Sequence, residues 1–282
     1  MEIPFPTLSV ALPDSSLIDS KSLLEKSLRV AQFARALSIF RVEKVYVYHD
    51  ASSTVRPDDA KLITLLLEYL DTPQYLRKLL YPKMKLLQFA GMLPPIQSPH
   101  HKKFLRASEI RSEESRAGVL LRDRGKWVVD VGLDRTVPFV GKTETTRKGN
   151  FKLSVKQGQL VANEIIGKVG DSEYWGYHVM IVRTLSEITR RFSSVRFLIT
   201  TRRGKPIPLI IPSLTKSFKH TSEVVLIFGS PRNDVWEIVN KIDRDLVGSS
   251  LAINMFPLQG TNTVRLEEAL LGSLAIINSI RA

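Results

Sequence analysis

The segment near the C-terminus places its residues in an order that suits ligand binding. An apolar run that begins at Leu251 leads into the turn Pro257-Leu258-Gln259-Gly260, and a polar loop and a helical pattern follow. Glu267 and Glu268 lie in the first turn of that predicted helix. A loop that ends at a helix start presents unpaired backbone N–H groups and the positive end of the helix dipole. Because a glycine in such a loop lets another molecule approach the backbone closely, the segment is predicted to bind a ligand.

Three loops of this character follow predicted strands in the C-terminal part of the chain. The first loop is TTRRG at residues 200–204, the second is FGSP at 228–231, and the third is NMFPLQGTNTV at 254–264. In open α/β sheets, ligands bind beyond the carboxyl ends of the strands. A single glycine after a strand is more often only a turn, but three such loops in succession favour one shared pocket.

Several other kinds of site are not expected. The chain has no cysteine, which excludes disulfides, thiolate metal sites and cysteine nucleophiles. No G-x-G-x-x-G follows the first predicted strand, and neither a P-loop nor a G-x-S-x-G motif is present. His100 and His101 are adjacent and have no evident spaced partner, so no metal site is expected there. A boundary loop or a basic RNA-facing loop, together with Lys102 and Lys103, is the favoured interpretation.

The charge balance favours a polyanionic partner. Lys and Arg total 41 against 28 Asp and Glu, which gives a formal net charge of +13. Nucleic acid is the first candidate and an anionic membrane surface the second, whereas a solvated basic surface is the alternative without a partner. No apolar run reaches the roughly 18 residues that a membrane span needs, and the N-terminus lacks the basic region of a signal peptide. A cytoplasmic protein without a membrane span is therefore expected.

The elements that must position the loops follow an α/β pattern with one interruption. A strand at 7–12, a helix from Ser15 or Ser16 to Phe40, a strand at 42–48 and a helix from Pro57 predict a parallel sheet covered by helices. A Pro-punctuated basic stretch then marks a domain boundary. From about residue 117, short runs alternate with a period of two, as in a small β-barrel.

From Tyr174 the α/β pattern resumes. It predicts strands at 195–200 and 223–228, a turn at 201–204, and a helix at 234–245. A further strand at 177–182 and a helix at 186–192 precede them. The predicted domains are the N-terminal part of an α/β domain at 1–95, an inserted barrel at 96–166, and the C-terminal part of the α/β domain at 167–282.

Four strings in the sequence indicate a family. QGTNTVRLEEALLGSLAIIN at 259–278 resembles the C-terminal knot segment of the SPOUT methyltransferases, and FGSP resembles their second cofactor loop. QFARALSIFRVEKVYVY at 32–48 and TPQYLRKLLYPKMKLLQFAGMLPPIQSPHH at 72–101 look like the SPOUT branch that has an inserted OB-like barrel. That branch comprises archaeal proteins and their eukaryotic nuclear relatives. The resemblance covers nearly the whole chain, although the barrel matches by position more than by sequence.

The resemblance implies an α/β fold of SPOUT type, with a parallel sheet, a C-terminal trefoil knot and an inserted small OB-like β-barrel. It also implies a homodimer that uses S-adenosyl-L-methionine to methylate structured RNA, with ribosomal RNA first and a uridine base favoured by analogy. By position, the cofactor-binding residues are Thr201, Gly204, Gly229, Pro231, Asn254, Leu258, Gly260, Thr263 and Val264. In the first loop, this sequence departs from relatives that tend to have an acidic residue where Arg202 or Arg203 stands, which weakens the assignment of that loop.

Two arginines are candidates for the catalytic centre. Arg35 lies in the family-like QFARA stretch and could contact the RNA phosphate or the acceptor base; the alternative is an exposed helix arginine or one packed along its stem. Arg265 could pair with a carboxylate or with RNA, and an ion pair with Glu267 or Glu268 is at least as good an interpretation. Those glutamates more naturally satisfy the helix N-terminus than act as bases.

A basic track with interleaved aromatic residues is predicted to bind RNA, because cations bind phosphates and aromatic rings stack on unpaired bases. Its members are Arg77, Lys78, Lys83, Lys85, Lys102, Lys103, Arg122, Arg124 and Lys126. The alternative is a solvated amphipathic surface. Two other functions compete with methyl transfer. One is a non-catalytic RNA-binding or ribosome-assembly protein of the same fold, and the other is an α/β enzyme that uses a different adenosine-like cofactor.

Overall fold

The computed structural model describes residues 5–52, 57–110, 113–166, 174–189 and 195–282. The strands are β1 (Thr7–Pro13), β2 (Val42–Tyr48), β3 (Ser115–Asp123), β4 (Lys126–Asp130), β5 (Val137–Pro138), β6 (Arg147–Lys156), β7 (Gln159–Glu164), β8 (His178–Val182), β9 (Val195–Pro206), β10 (Glu223–Ile227) and β11 (Leu251–Asn254). The helices are α1 (Leu23–Ile39), α2 (Pro57–Asp71), α3 (Gln74–Leu80), α4 (Ser186–Thr189), α5 (Ile211–Phe218), α6 (Val235–Ile238), α7 (Arg244–Ser249) and α8 (Leu266–Arg281). Among the described residues, none of these helices combines the length and the apolar character needed to cross a bilayer.

The chain forms two compact units. The first comprises Met1–Glu68, Lys85–Pro94 and Gly176–Ala282, and the second comprises Tyr69–Met84 and Pro95–Trp175. The second unit thus includes a segment that the sequence-based boundary at 95 placed with the α/β region. Tyr75 belongs to this segment, and its hydroxyl donates to the carbonyl of Ala117 over 2.8 Å. The predicted boundary at 166/167 adjoins residues 167–173, which lie outside the described ranges.

A six-stranded sheet forms the centre of the first unit, with strand order β11-β9-β10-β1-β2-β8 and parallel pairing throughout. The predicted α/β class with a parallel sheet is confirmed. β10 is buried along its whole length, as is β1 after its first residue. Continuous apolar burial of this kind is expected where helices cover both faces of a sheet.

Two predicted helices in the first unit have different bounds in the structure. α1 begins only at Leu23, because the Ser22 hydroxyl accepts a hydrogen bond from the Glu25 N–H and caps the helix there. The predicted helix at 234–245 is wrong, because α6 already ends at Ile238. Asn240 then caps a separate 3₁₀ turn by accepting from the N–H of Asp243 over 3.1 Å. Part of the predicted helix at 186–192 lies outside the described residues.

The predicted turn at 201–204 is also wrong, because these residues lie within β9. Ile199 pairs with Ala252 of β11, and Lys205 pairs with the next residue, Ile253. Residues 200–204 therefore have no partner on β11 and form a bulge between two paired stretches. The first loop is thus an interruption within a strand, held against β11 on both sides.

The second unit is built on a five-stranded antiparallel sheet with order β5-β4-β3-β6-β7. β5 and β7 are the two edge strands of this sheet. An isolated β-bridge between Phe139, which follows β5, and Ala162 of β7 connects the two edges. Phe151, Leu153 and Val129 lie in the buried apolar cluster of this unit. The β3–β4 hairpin turns through Arg124 and Gly125, whose φ angles are 47° and 83°. Positive φ at both positions is typical of the tight turns that join twisted strands.

Candidate active site

The three loops predicted to bind a ligand lie along one edge of the parallel sheet. β11, β9 and β10 are neighbours in the strand order and run in the same direction. The bulge at 200–204 comes after the first paired stretch of β9, and the other two loops follow β10 and β11 directly. The structure therefore brings all three loops together.

Polar contacts connect the first loop to the start of α6, shortly after the second loop. The Thr201 hydroxyl donates to Oδ2 of Asp234 over 2.6 Å, and the other carboxylate oxygen of Asp234 accepts from the Val235 N–H. Arg203 forms an exposed ion pair with Glu237 at 3.3 Å. Asp234 therefore caps α6, while it also anchors the bulge.

The third loop is held by its own side chains and by the bulge. Asn254 accepts from the Phe256 N–H over 3.0 Å and donates to the Arg202 carbonyl over 3.3 Å. The Arg202 guanidinium in turn donates to the Asn262 carbonyl over 2.7 Å. Gln259 donates to the carbonyl of Thr261 over 2.9 Å. Arg202, one of the two arginines at which this loop could depart from the family pattern, thus joins the first and third loops.

The glycines in these loops have different surroundings. A Cβ atom on Gly204 would meet the Ala252 carbonyl carbon at 2.6 Å, and one on Gly229 would meet the Asn233 carbonyl oxygen at 2.7 Å. These two glycines are therefore required by the packing of the backbone itself. A Cβ on Gly260 would have no neighbour within 4 Å. Leu258, two residues earlier, has 96% of its surface exposed. The third loop therefore has open space and an uncovered apolar side chain beside it.

A group of polar residues at the ends of β1 and β2 was missed by sequence reasoning. Asp14 follows β1, and His49 and Asp50 follow β2, so their positions directly after two predicted strands could have revealed them. Oδ2 of Asp14 lies 2.8 Å from Nδ1 of His49, and Oδ1 of Asp14 accepts from the Asp50 N–H over 3.0 Å. Since β1 pairs with β10 in parallel, this group shares the sheet edge with the second loop.

Tyr48 connects this group to the second loop. Its buried hydroxyl donates to the carbonyl of Phe228 over 2.6 Å. Burial raises the pKa of the phenol well above its ordinary value, and the negative charges of Asp50 and Asp14 raise it further. Tyr48 therefore stays neutral and remains a hydrogen-bond donor.

The two arginines proposed for catalysis occupy different settings. Arg35 is exposed on α1 and forms no hydrogen bond or ion pair with another described residue. Arg265 precedes α8, and its backbone N–H donates to the Glu268 carboxylate over 2.9 Å. Glu267 lies 3.9 Å from Arg29. The side chain of Glu268 thus satisfies the start of α8.

The predicted RNA-binding residues differ in their exposure and contacts. Arg122, Arg124 and Lys126 are exposed together at the β3–β4 turn. Arg77 is half-buried, donates to the carbonyls of Leu70 and Thr72, and has its guanidinium 4.7 Å from the Tyr69 ring centroid. Its contacts are therefore structural, at the end of α2. Lys78, Lys83, Lys85 and Lys103 are exposed, whereas Lys102 is half-buried.

The two adjacent histidines are close to an acidic residue that the sequence did not reveal. Nε2 of His100 and Nε2 of His101 lie 2.9 Å and 2.8 Å from the carbonyl oxygen of Asp71. Desolvation by burial lowers the pKa of His100 to about 4 and also lowers that of His101. With Arg77, these side chains occupy the carbonyls that the last turn of α2 leaves without helical partners.

A cavity of ≈ 610 Å³ lies at the opposite, amino edge of the sheet. Its lining includes Val195 and Leu251, the first residues of β9 and β11, together with Lys216 and His220. Because the three loops lie at the carboxyl ends of the same strands, this cavity is not the predicted site.

Comparison with known proteins gives a family. Residues 7–277 match the family described as "Putative RNA methyltransferase". A 28S rRNA (uridine-N(3))-methyltransferase of Drosophila melanogaster is 29% identical over 310 residues, covering 96% of this chain and 61% of that relative. The Homo sapiens protein of the same name is 29% identical over 308 residues, covering 96% of this chain and 77% of that relative.

The chain thus spans less than two thirds of the Drosophila relative's length. A solved structure titled "putative methylase family protein" from Neisseria gonorrhoeae covers 99% of this chain and 84% of its own, at 10% identity and a TM-score of 0.39. The family match, which extends over residues 7–277, confirms the resemblance to RNA methyltransferases. The chain belongs to that family of RNA methyltransferases.

Proposed function

We propose that the protein transfers a methyl group from S-adenosyl-L-methionine to N3 of a uridine in ribosomal RNA. The observation that carries the proposal is the convergence of three loops at one sheet edge in a chain that matches the RNA methyltransferase family over residues 7–277. The names of the Drosophila and human relatives supply the substrate and the acceptor atom. The basic composition of the chain fits an RNA substrate.

The residues of the three loops fit an adenosine-containing cofactor. The open space at Gly260 and the exposed side chain of Leu258 provide room and apolar surface for an adenine. The residues that would hold the cofactor are those of the sequence-based set, from Thr201 to Val264. When bound, the cofactor supplies an already activated methyl group, so the protein mainly positions donor and acceptor. The hydrogen bonds of Thr201, Arg202 and Asn254 keep the loops in place for that purpose.

The proposed fold is of SPOUT type, with a trefoil knot that contains the third loop. Two observations support it. β11 is the last strand in the sequence, yet it lies at the edge of the sheet, next to β9 and not next to β10. After β10 the chain therefore crosses past β9 before it forms β11. β11 also pairs with β9 on both sides of the 200–204 bulge. The proposed inserted domain is an OB-like barrel, supported by the five-stranded antiparallel sheet and its Phe139–Ala162 bridge.

The proposed active form is a homodimer. α1 and α8 pack against each other, and each leaves apolar side chains exposed: Leu28 and Ile39 on α1, and Leu271 on α8. A second copy would cover these side chains. Arg35 is exposed on α1 as well, and its guanidinium, which bonds to no side chain that the structure describes, is available to an RNA phosphate.

Calorimetry with S-adenosyl-L-methionine tests the cofactor assignment. Gly260→Trp should abolish cofactor binding, because the indole would fill the open space beside the third loop. Gly248→Trp is the matched control, since a Cβ there also has no neighbour within 4 Å and the residue lies in α7. Equal cofactor affinity in both variants would remove Gly260 from the pocket. A folded wild-type protein that binds no S-adenosyl-L-methionine would contradict the proposed reaction.

Mass spectrometry of ribosomal RNA tests the substrate. Cells that lack the gene should lose one N3-methyluridine, and the purified protein with S-adenosyl-L-methionine should restore it. Binding of the RNA without methyl transfer would instead favour the non-catalytic RNA-binding alternative.

A further inference from the structure

Methyl transfer to N3 of a uridine requires a base. This inference rests on the proposed function, because the uridine N3 carries a hydrogen and its lone pair is delocalised into two carbonyl groups. The nitrogen becomes a good nucleophile only as that proton leaves. Neither Arg35 nor Arg265 can accept it, because a guanidinium stays protonated in proteins. We propose that His49, oriented by Asp14, is the general base of this site.

The geometry of the Asp14–His49 pair fixes the role of each imidazole nitrogen. Oδ2 of Asp14 lies 2.8 Å from Nδ1 of His49. Because an ionised carboxylate only accepts hydrogen bonds, Nδ1 is the nitrogen that donates to Asp14, and in the neutral imidazole Nε2 is then the nitrogen with the lone pair. The His49 side chain is 57% exposed, whereas that of Asp14 is 12% exposed. No described residue forms a hydrogen bond with Nε2, so a buried carboxylate orients an imidazole whose basic nitrogen is available to solvent and substrate.

Asp14 is itself held by its surroundings. Its second oxygen accepts from the Asp50 N–H over 3.0 Å, and its own N–H donates to the Tyr48 carbonyl over 2.8 Å. Asp50 is fully buried, and its carboxylate accepts from the hydroxyls of Ser15 and Ser52. The orientation of His49 is therefore determined by two strand ends that are bonded to each other.

The same network reaches the second cofactor loop. The side-chain amide of Asn233 donates to the Ser52 hydroxyl over 3.1 Å, and Ser52 in turn bonds to Asp50. The hydroxyl of Tyr48, the residue before His49, donates to the Phe228 carbonyl. His49 thus follows a strand end that is bonded to a loop proposed to hold the methyl donor. A nucleotide that binds beside that loop therefore has the proposed general base, His49, on the same edge of the sheet.

The proposed step balances without any further reactant. The N3–H proton passes to Nε2 of His49 while the N3 electron pair attacks the methyl carbon. The N–C bond forms and the C–S bond breaks, so its electron pair returns to sulfur and the sulfonium becomes a neutral thioether. Asp14 stabilises the resulting imidazolium, which releases its proton to solvent through its exposed edge.

His49→Ala tests the proposal with tritiated S-adenosyl-L-methionine and ribosomal RNA from cells that lack the gene. We expect kcat to fall by on the order of 10²–10⁴-fold, while the cofactor Kd and the RNA KM change little. Asp14→Asn should also lower kcat, because an amide does not fix the same tautomer. His178→Gln is the matched control, since this exposed histidine lies on β8, away from the cofactor loops. Its kcat should equal that of the wild type.

The pH profile separates a base from a merely structural residue. Wild-type kcat should rise with pH and then level off, because only the deprotonated form of a general base accepts a proton. The carboxylate bonded to His49 is that of Asp14, whereas the Asp50 carboxylate is bonded to Ser15 and Ser52. Arg232, directly after the second loop, is paired with Asp19. The kcat of His49→Ala should keep rising into the alkaline range, where the uridine ionises by itself, and added imidazole should restore part of the rate.

Three outcomes are decisive. Wild-type kcat in a folded His49→Ala variant that binds the cofactor would overturn the base assignment and leave the proposed function intact. A parallel loss of cofactor affinity and kcat, without imidazole rescue, would also overturn it, because His49 would then only support the loop. A wild-type protein that methylates no uridine would refute the proposed function instead.

Discussion

His100 shows how strongly burial changes the pKa of a side chain. Its imidazole is almost fully enclosed, and it contacts the Asp71 carbonyl at the end of α2. Desolvation by burial lowers its pKa from 6.5 to about 4, and the neighbouring His101 is affected in the same direction. The folded protein therefore holds His100 neutral at pH values at which an unfolded chain would protonate it.

This shift predicts a loss of stability in mild acid. A depressed folded-state pKa contributes stability above pH 6.5, and that contribution is lost as the pH falls from 6.5 to about 4. The loss attributable to His100 is on the order of 3 kcal/mol. Urea unfolding of the wild type and His100→Gln over this pH range measures it. We expect the unfolding free energy of the variant to fall less steeply as the pH decreases. The loss that is left in the variant comes from His101.

The exposed His178 provides the control for this measurement. His178→Gln should keep the wild-type dependence of the unfolding free energy on pH. An equally steep loss in His100→Gln would show that His100 does not cause the acid sensitivity.

The roles of single residues could be predicted from the sequence only in part. The charge of Arg77 suggested an RNA contact, but its guanidinium donates to two backbone carbonyls. Asp71 could not be assigned as a partner of His100, because 29 residues separate them and only the fold brings them together. Local pattern reasoning finds residue types, whereas the partner of a side chain depends on tertiary packing.

At the scale of elements, the bulge in β9 determines how the first and third loops meet. Gly204 is the last residue of the bulge, and a Cβ there would lie within 2.6 Å of the Ala252 carbonyl carbon. The contacting atoms belong to the β11 backbone, so they cannot move as a flexible side chain would. The two strands can pair beside the bulge only because residue 204 has no side chain.

Gly204→Ala should therefore disturb the pairing of β9 with β11. We expect a loss of about 1–3 kcal/mol in the free energy of unfolding, the usual cost of overpacking. Denaturant unfolding measures the loss, and calorimetry should show weaker cofactor binding. Gly260→Ala is the control, because its Cβ would enter open space and should leave stability nearly unchanged. Equal stability of the two variants would contradict the close packing at Gly204.

The elements of the parallel sheet could be predicted from the sequence, because apolar β-branched runs such as VEKVYVY and EVVLIF are strong local signals. The bulge could not. Residues 200–204 contain a glycine and two arginines, which is typical of a turn. Their place within β9 depends on pairing with β11, about 50 residues later in the chain. The three loops were thus predicted at the strand ends where the structure has them, but the first loop was given the wrong local structure.

For the whole molecule, the net charge of +13 predicts salt-sensitive binding to RNA. The β3–β4 turn exposes Arg122, Arg124 and Lys126 together, and it is the most concentrated part of the proposed RNA-binding set. Replacement of all three by Gln should weaken RNA binding and reduce the slope of log K against log salt concentration. On single-stranded RNA, the expected reduction is about 0.7 for each phosphate that the variant no longer neutralises.

The control for this variant must remove the same charge elsewhere. Lys219→Gln, Lys241→Gln and Arg244→Gln remove three exposed positive charges from the first unit. Filter binding at several salt concentrations compares the two triple variants. If affinity and salt slope fall equally in both, net charge and not the hairpin determines RNA binding.

The central pairing of β1 with β10 also has a consequence for biosynthesis. Thr7 pairs with Glu223, and Ala11 pairs with Ile227. At roughly 5–20 residues per second, a ribosome needs on the order of tens of seconds to synthesise the chain between these strands. During that time, the edge of β1 that will pair with β10 leaves its backbone N–H and C=O groups without their strand partner. We therefore expect the emerging protein to depend on chaperones that shield this edge, and to acquire its enzymatic competence only late in synthesis.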